Sequence, residues 1–376
     1  MEIHFNCRYY AGYKPCKFKR TCGGCDKFDP VESNILVIKL GALGDLLRTT
    51  PVLQSLKKAY PKSRITWLTQ KSCVPLLAGI PEIDRIWETG THVMARVLSQ
   101  HFDIMINFDK DCPAAELAAL SNAEIKRGFG LTSGGTLMAL NPGSEYALRL
   151  GLDDELKFHK NNKTYQQIVH EMAELQCPSP APPYRLYLSE EELAYGKKVF
   201  APHAGAAFFL GVHAGCGRAF PTKKWPTDRF IGLLDALYLR CRGREIVPVL
   251  FGGADENEIN DFITHSLQEK GIRFLRPKEG YSLREFASLV ACCNGLVCGD
   301  TLAMHVGLAM GVRTLAIFTS TCTQEIELYG VGRIVAGKAP CAPCYLARCK
   351  QPAQLCADSL KTEDVFAATV EHMRLG

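Results

Sequence analysis

The sequence of 376 residues has no long apolar segment and no strong excess of either charge. No apolar run approaches the ~18 residues needed to cross a bilayer. The stretch MEIHFNCRYYAG also lacks an apolar core of the length typical of a signal peptide, so we expect a cytoplasmic protein. The net charge of +5, from 44 basic and 39 acidic residues, is too small to indicate nucleic-acid binding, although it suits anionic substrates or a membrane surface.

Short repeats, low-complexity tracts and a dinucleotide-binding fingerprint are also missing. The loop after the first apolar run reads GALGD instead of GxGxxG, which disfavours an NAD-dependent enzyme. Cysteine, in contrast, is abundant, with 17 residues. Because the chain is long and shows no signal peptide, we interpret these cysteines as thiols or metal ligands and not as disulfides.

Short apolar runs alternate with helical stretches in both halves of the chain. Such runs are typical of buried parallel strands. We predict strands at 35–40, 64–69, 103–108, 208–213, 246–251, 295–298 and 314–318, and helices at 46–59 and 226–239. The alternation predicts an α/β protein with two doubly wound, Rossmann-like domains, one in each half of the chain.

The predicted organisation has three parts. Residues 1–30 are polar and cysteine-rich and form an irregular leader, residues 31–202 the N-terminal domain and residues 203–376 the C-terminal domain. We place the domain boundary after the proline cluster PSPAPP and the charged helix SEEELAYGKK that follows it.

Small and acidic residues follow the first predicted strand. Ligands of open parallel sheets bind beyond the carboxyl ends of the strands, and glycine lets them approach the backbone closely. Gly41, Gly44 and Asp45 therefore indicate either a ligand site or a turn in which Asp45 is a helix N-cap. The DKD triplet at 109–111, with Asp109 and Asp111, resembles a metal-binding acidic motif of some glycosyltransferases, but we interpret it as a solvated loop.

The equivalent loop of the second half, HAGCGRAFPTKKWP, combines glycine amides with cations. Arg218, Lys223 and Lys224 at a helix start indicate an anion site, with a solvated basic turn as the alternative. Asp300 and Thr301 close a later strand, where an aspartate commonly caps a helix. His305 follows one turn on, in a setting typical of a buried core histidine.

Taken together, the motifs from about residue 34 onward resemble glycosyltransferase family 9, the heptosyltransferases. The run ILVIKLGALGDLLRTTPVLQSLKKAYP is similar to the opening of that family, and TKKWP to its Lys-x-Trp-Pro element. FGGADENE resembles its Gly-Gly element with acidic residues, and CGDTLAMHVGLAMGVRTLAIF its Asp-(Ser/Thr)-Gly-x-x-His segment.

The resemblance implies a GT-B fold, in which the two Rossmann-like domains face a central cleft. The N-terminal domain would bind the acceptor and the C-terminal domain a nucleotide-sugar donor. It implies transfer of heptose from ADP-heptose to the lipopolysaccharide inner core, with inversion and without a cofactor or metal for catalysis. The acceptor would be a lipid-linked saccharide, which implies weak peripheral contact with the inner membrane.

Carried over by motif, the resemblance implies a role for each site residue. Asp45 would be the general base, in an acceptor-side loop with Gly41, Gly44 and Arg48. Lys223 would face the donor diphosphate, and Glu256, or else Asp255, the donor ribose. The remaining donor-binding positions would be Gly215, Asp300, Thr301, Leu302, Ala303 and His305.

Leu302 departs from the family, because many members have glycine there. A side chain at this position would narrow the sugar pocket, so the sequence does not identify the donor sugar. The alternatives are a GT-B glycosyltransferase with another donor or acceptor, a nucleotide-sugar epimerase of the same fold, and a non-catalytic metal-binding relative.

Eight cysteines form two clusters. The leader cluster is Cys7, Cys16, Cys22 and Cys25, spaced C-x8-C-x5-C-x2-C, and the second cluster is Cys341, Cys344, Cys349 and Cys356, spaced C-x2-C-x4-C-x6-C. Both are candidates for structural zinc or an iron–sulfur group, with unligated thiols as the alternative. The second cluster resembles a cysteine-rich stretch of many family members, whereas the leader is not a general family feature.

Overall fold

A computed structural model describes residues 2–203, 205, 208–240 and 245–375. Contacts divide the chain into two compact units. The first unit comprises Met1–Asp153 and Tyr165–Pro182, and the second comprises Asp154–Thr164 and Pro183–Gly376. Each unit is a mainly parallel sheet with helices, as predicted.

The sheet of the first unit has six strands in the order β3-β2-β1-β4-β5-β6, all parallel except β6. The strands are β1 Ser33–Ile38, β2 Ser63–Thr69, β3 Arg85–Glu88, β4 Phe102–Asn107, β5 Ala123–Leu131 and β6 Leu137–Ala139. The three strands predicted for this half are confirmed within two residues. In β1, which lies at the centre, residues 35–38 are completely buried, which explains its apolar sequence.

Among the described residues of this unit, seven α-helices accompany the sheet: α1 Leu43–Thr49, α2 Val52–Ala59, α3 Val74–Leu77, α4 Thr91–Ser99, α5 Cys112–Leu120, α6 Pro142–Arg149 and α7 Tyr165–Met172. The single helix predicted at 46–59 is in fact two helices. Pro51, the N-cap of α2, separates them, because proline has no N–H to donate within a continuous helix.

The sheet of the second unit has five parallel strands in the order β11-β10-β9-β7-β8. They are β7 Phe208–His213, β8 Ile246–Leu250, β9 Gly295–Gly299, β10 Arg313–Phe318 and β11 Gly332–Ala336. The helices are α8 Glu190–Phe200, α9 Thr227–Arg240, α10 Asn257–Glu269, α11 Leu283–Ala291, α12 Leu302–Ala309, α13 Leu355–Asp358 and α14 Thr362–Met373. In the described part of the chain, no helix has both the length and the apolar character that a membrane crossing requires.

The division into units differs from the predicted boundary at residue 202. Residues 183–202 belong with the second unit because α8 packs on α11. The Gly196 N–H donates to Ser288 Oγ at 2.9 Å, and that hydroxyl donates to the Glu192 carbonyl at 2.7 Å. Residues 154–164 also join the second unit, where the Phe158 ring stacks on Tyr345 with centroids 5.7 Å apart.

The leader contains no helix or strand in residues 2–30, apart from an isolated bridge between Cys7 and Pro30. Its irregular character is as predicted. It is nevertheless attached to the first unit, since Arg64 Nη2 donates to the Cys7 carbonyl at 3.1 Å and the Val31 N–H donates to the Asn6 carbonyl at 2.8 Å.

Candidate active site

Each sheet has a switch point, where strand order reverses on either side of the first strand. In the first unit the switch point lies between β1 and β4, and in the second between β7 and β9. Ligands of such sheets bind in the crevice outside the carboxyl ends of these strands. The loops that leave these strands therefore define the candidate site of each unit.

A buried lysine–aspartate pair lies at the switch point of the first unit. Lys39 Nζ, just after β1, contacts Asp109 Oδ1, just after β4, and the two residues are only 4% and 8% exposed. The same carboxylate accepts hydrogen bonds from the backbone N–H groups of Leu40 and Gly41. Asp109 thus fixes the start of the loop that leads to Asp45.

The interpretation of the DKD triplet as solvated is wrong for Asp109. The side chain of Asn107 holds this turn, accepting from the Asp109 N–H at 2.9 Å and donating to the Phe129 carbonyl at 2.9 Å. Asp111 is exposed and is the N-cap of α5, where it accepts from the Ala114 N–H at 3.2 Å. The two aspartates therefore have different structural roles.

Burial alone would lower the pKa of the Lys39 ammonium. The neighbouring acidic groups of Tyr165, Asp109 and Asp45 outweigh this effect and raise the pKa well above its usual range. Lys39 therefore remains a cation at neutral pH despite its burial.

Asp45 lies in the first turn of α1, and its side chain is 45% exposed. It is not the N-cap, which is Ala42. Arg48 Nη1 lies 3.4 Å from Asp45 Oδ1, and the Arg48 guanidinium lies 4.1 Å from the centre of the Tyr165 ring. An accessible carboxylate is thus flanked by a cation that is held in place on an aromatic face.

A second lysine–aspartate pair lies at the switch point of the second unit. Lys223 Nζ is 2.8 Å from Asp300 Oδ2, which also accepts from Thr321 Oγ1 at 2.9 Å. Burial would raise the pKa of Asp300, but the Lys223 charge and these hydrogen bonds lower it below its usual range. The Trp of the TKKWP motif anchors this loop, because Trp225 is buried and its Nε1 donates to the Leu360 carbonyl at 3.0 Å.

Helix α12 begins directly after Asp300. Its N-cap Thr301 makes no side-chain capping bond, and Thr301 Oγ1 is buried without a hydrogen-bond partner among the described residues. Leu302 is half-buried, and Ala303 and His305 are buried, the latter beside the Tyr184 ring. The expectation of a buried histidine agrees with this position.

Glu256 is buried against the loop that follows β7. Its Oε2 accepts from the Gly253 N–H at 2.9 Å, and a Cβ on Gly215 would overlap its side chain, which explains the glycine there. Burial lowers the pKa of the neighbouring His213, although the charge of Glu256 opposes this effect. Asp255, in contrast, forms a surface pair with Arg218, whose side chain is largely exposed.

None of the eight cysteines of the two clusters forms a disulfide. The four cysteines of each cluster line one cavity, of about 390 Å³ for the leader cluster and about 100 Å³ for the second cluster. The leader cluster belongs to the first unit and the second cluster to the second unit.

Sequence reasoning missed the partners that hold both sites together. Lys39, Asn107, Tyr165 and Thr321 were not identified, and Asp109 was misinterpreted. The available signal was the lysine within the apolar run ILVIKL, since a charged residue at the end of a buried strand needs a partner.

Comparison with known proteins places the chain in a family. It matches the profile of glycosyltransferase family 9 (heptosyltransferase) over residues 91–354. The chain belongs to this family. It is therefore a glycosyltransferase, and its two Rossmann-like units are those of the GT-B fold.

Relatives of known role agree with this assignment. Lipooligosaccharide heptosyltransferase 2 of Haemophilus ducreyi is 25% identical over 297 residues, covering 73% of this chain and 80% of the relative. Lipopolysaccharide heptosyltransferase 1 of Pseudomonas aeruginosa is 24% identical, covering 84% and 87%.

The fold is shared with two solved structures. One is a family 9 glycosyltransferase from Veillonella parvula, with a TM-score of 0.68 at 19% identity, covering 92% of this chain and 98% of that one. The other is the ADP-heptose lipopolysaccharide heptosyltransferase II of E. coli, with a TM-score of 0.64 at 18% identity, covering 91% and 98%.

The buried Lys39–Asp109 pair should contribute strongly to the stability of the fold. We expect Asp109→Ala to lower the free energy of unfolding by about 3–5 kcal/mol, because it leaves Lys39 buried without its counter-charge. Urea denaturation of the purified protein measures this loss.

The matched control is Asp111→Ala, in the same DKD triplet. Removing this exposed N-cap should cost only about 1 kcal/mol. Equal losses in the two variants would contradict a special role for the buried pair.

Proposed function

We propose that this chain transfers heptose from ADP-heptose to a saccharide of the lipopolysaccharide inner core, with inversion at the sugar. The observation that carries the proposal is the pair of switch-point sites in a family 9 chain. One site presents an accessible carboxylate, and the other a lysine beside a helix N-terminus. The names of the relatives supply the substrate class.

In the first unit, Asp45 acts as the general base. The acceptor hydroxyl attacks the anomeric carbon of the donor, its proton passes to Asp45, and the bond from that carbon to the diphosphate oxygen breaks. The exposure of Asp45 allows a hydroxyl to reach it. Arg48, stacked on Tyr165, lies beside this carboxylate as a counter-charge.

In the second unit, Lys223 and the start of α12 receive the donor diphosphate. Lys223 pairs with Asp300 in this structure, so the diphosphate must compete with that carboxylate for the ammonium. Thr301 Oγ1 and the first amides of α12, at Leu302 and Ala303, are further donors for phosphate or sugar oxygens.

The ribose is assigned to Glu256. Its carboxylate lies beside Gly215, in the loop after β7, and Oε1 remains as an acceptor besides the Oε2 atom that binds the Gly253 amide. Asp255 is the weaker candidate, because it is engaged with Arg218 at the surface.

The proposed chemistry uses no metal or other cofactor. Negative charge develops on the leaving diphosphate, and a lysine with oriented amides stabilises such charge without an ion. The lipid-linked acceptor and the modest basic excess lead us to expect a cytoplasmic protein with weak peripheral contact with the inner membrane.

A second candidate is transfer of a different sugar from a nucleotide donor. The specific observation in its favour is Leu302, a half-buried side chain at the first position of α12, where many family members have glycine. A smaller sugar would fit beside it more readily than heptose.

The proposal is tested by measuring ADP release from ADP-heptose with an inner-core acceptor, in the presence of EDTA. We expect turnover that EDTA does not reduce. A thermal-shift screen of ADP-, UDP- and GDP-sugars accompanies it, in which the true donor at ~100 times its Kd adds roughly 2.7 kcal/mol of stability. Stabilisation by a UDP- or GDP-sugar alone would favour the second candidate.

Asp45→Asn should lower turnover by roughly 10²–10⁴-fold, the usual contribution of a general base. Donor affinity should be nearly unchanged, because Asp45 belongs to the acceptor unit. Asp111→Asn, in another loop of the same unit, is the control and should retain activity. Near-normal turnover of Asp45→Asn would refute its assignment as the base.

Lys223→Ala should weaken donor binding and reduce turnover by about 10²-fold, because the leaving diphosphate loses its cation. Lys223→Arg should recover part of the activity. Lys224→Ala is the matched control, since the next residue carries the same charge but makes no contact with Asp300 among the ion pairs of the described chain. Small and equal losses at both lysines would indicate a generic basic turn.

A further inference from the structure

The leader cluster lines the larger of the two cysteine cavities. Its cavity of about 390 Å³ is bounded by Cys7, Cys16, Cys22 and Cys25 and by aromatic rings that include Tyr9, Tyr10, Phe18 and Phe28. Residues 2–30 of the leader contain no helix or strand, and a bound group would add to the contacts that offset the conformational entropy of so irregular a segment.

No three of the leader sulfur atoms lie as close together as the ligands of a single-ion site. Among the described residues, the only three metal-ligating side chains with ligand atoms mutually within 4.8 Å are His101, Asp103 and Glu124, so no three leader thiols are that close. A tetrahedral zinc ion with Zn–S bonds of about 2.3 Å would hold its sulfurs only roughly 3.8 Å apart. An iron–sulfur cluster places several iron and sulfide atoms between its thiolates and holds them farther apart.

The surroundings of the cavity suit an anionic group. Four thiolates around a cluster carry net negative charge, and the cavity is lined by Lys14, Lys19, Arg20 and Lys27. These cations would offset the negative charge of a cluster bound by the four thiolates.

The leader docks at the end of the sheet opposite the candidate site of the first unit. Arg8 forms an ion pair with Asp84 and donates to the Ser63 carbonyl at 3.0 Å, and these residues lie at the amino ends of β3 and β2. Asp45 instead follows the carboxyl end of β1, which runs parallel to β2. A group in the leader is therefore remote from Asp45 within this unit.

We propose that Cys7, Cys16, Cys22 and Cys25 bind a [4Fe–4S] cluster that holds the leader in its folded form. Its role is structural, and it takes no part in sugar transfer. The second cluster is not included, because its cavity of about 100 Å³ is about a quarter of the size.

The first experiment measures metal and sulfide in the full chain, purified without oxygen and again after reconstitution with iron and sulfide. We expect about four iron and about four acid-labile sulfide per chain, with a broad visible absorption that dithionite bleaches. Zinc, a single iron without sulfide, or no metal after reconstitution would each overturn the proposal.

Cysteine variants test whether the leader thiols bind the cluster. Cys22→Ser with Cys25→Ser should abolish the iron, sulfide and visible absorption, and should make the leader sensitive to limited proteolysis. Cys341→Ser with Cys344→Ser, and Cys112→Ser at an exposed thiol outside both clusters, are the matched controls and should retain all three signals. Iron lost only from the Cys341 and Cys344 variant would refute the assignment.

A measurement of ADP-heptose affinity tests the structural role of the cluster separately from the proposed sugar transfer. The leader variant should bind ADP-heptose with unchanged affinity, because the donor site belongs to the second unit. Loss of donor affinity together with the iron would contradict a purely structural role, whereas failure of ADP-heptose to bind any variant would concern the proposed function alone.

Discussion

A lysine–aspartate pair across the switch point is the constraint on which each unit depends. Lys39 and Asp109 connect the loops after β1 and β4, and Lys223 and Asp300 connect the loops after β7 and β9. Removing two charges from water is costly unless further hydrogen bonds satisfy them. Asp109 accepts from the Leu40 and Gly41 amides of the loop after β1, and Asp300 accepts from the hydroxyl of Thr321. The loop that leads to Asp45 and the start of α12 are both fixed by these carboxylates.

The two pairs differ in exposure. The Lys39 and Asp109 side chains are 5% and 11% exposed, whereas those of Lys223 and Asp300 are 19% and 14% exposed. The first pair is thus closed to solvent and serves as a fixed support. The ammonium of the second pair is more exposed, as our proposal that Lys223 leaves Asp300 for the donor diphosphate requires.

The sequence predicted most of the framework because buried parallel strands leave continuous apolar runs. It predicted seven strands, and all are present; it missed β3, β5, β6 and β11, which are short, partly exposed or less apolar. The sequence also predicted that Asp45 and Asp300 each follow a strand. The burial of Asp109 was not, because it depends on Asn107 and Lys39, which are brought to it by the sheet and not by neighbouring sequence. Burial of an acidic loop is a tertiary property, and spacing alone does not encode it.

The course of the chain has a consequence for engineering. The chain changes units after residues 153, 164 and 182, so neither unit is a single continuous segment. A single cut at any point therefore leaves at least one unit with a piece missing or a foreign piece attached. A cut before α8, for instance, separates residues 154–164, which carry Phe158, from their stacking partner Tyr345. A chimaera that exchanges the second unit with that of a relative must therefore join the two parents at three points if both units are to stay complete.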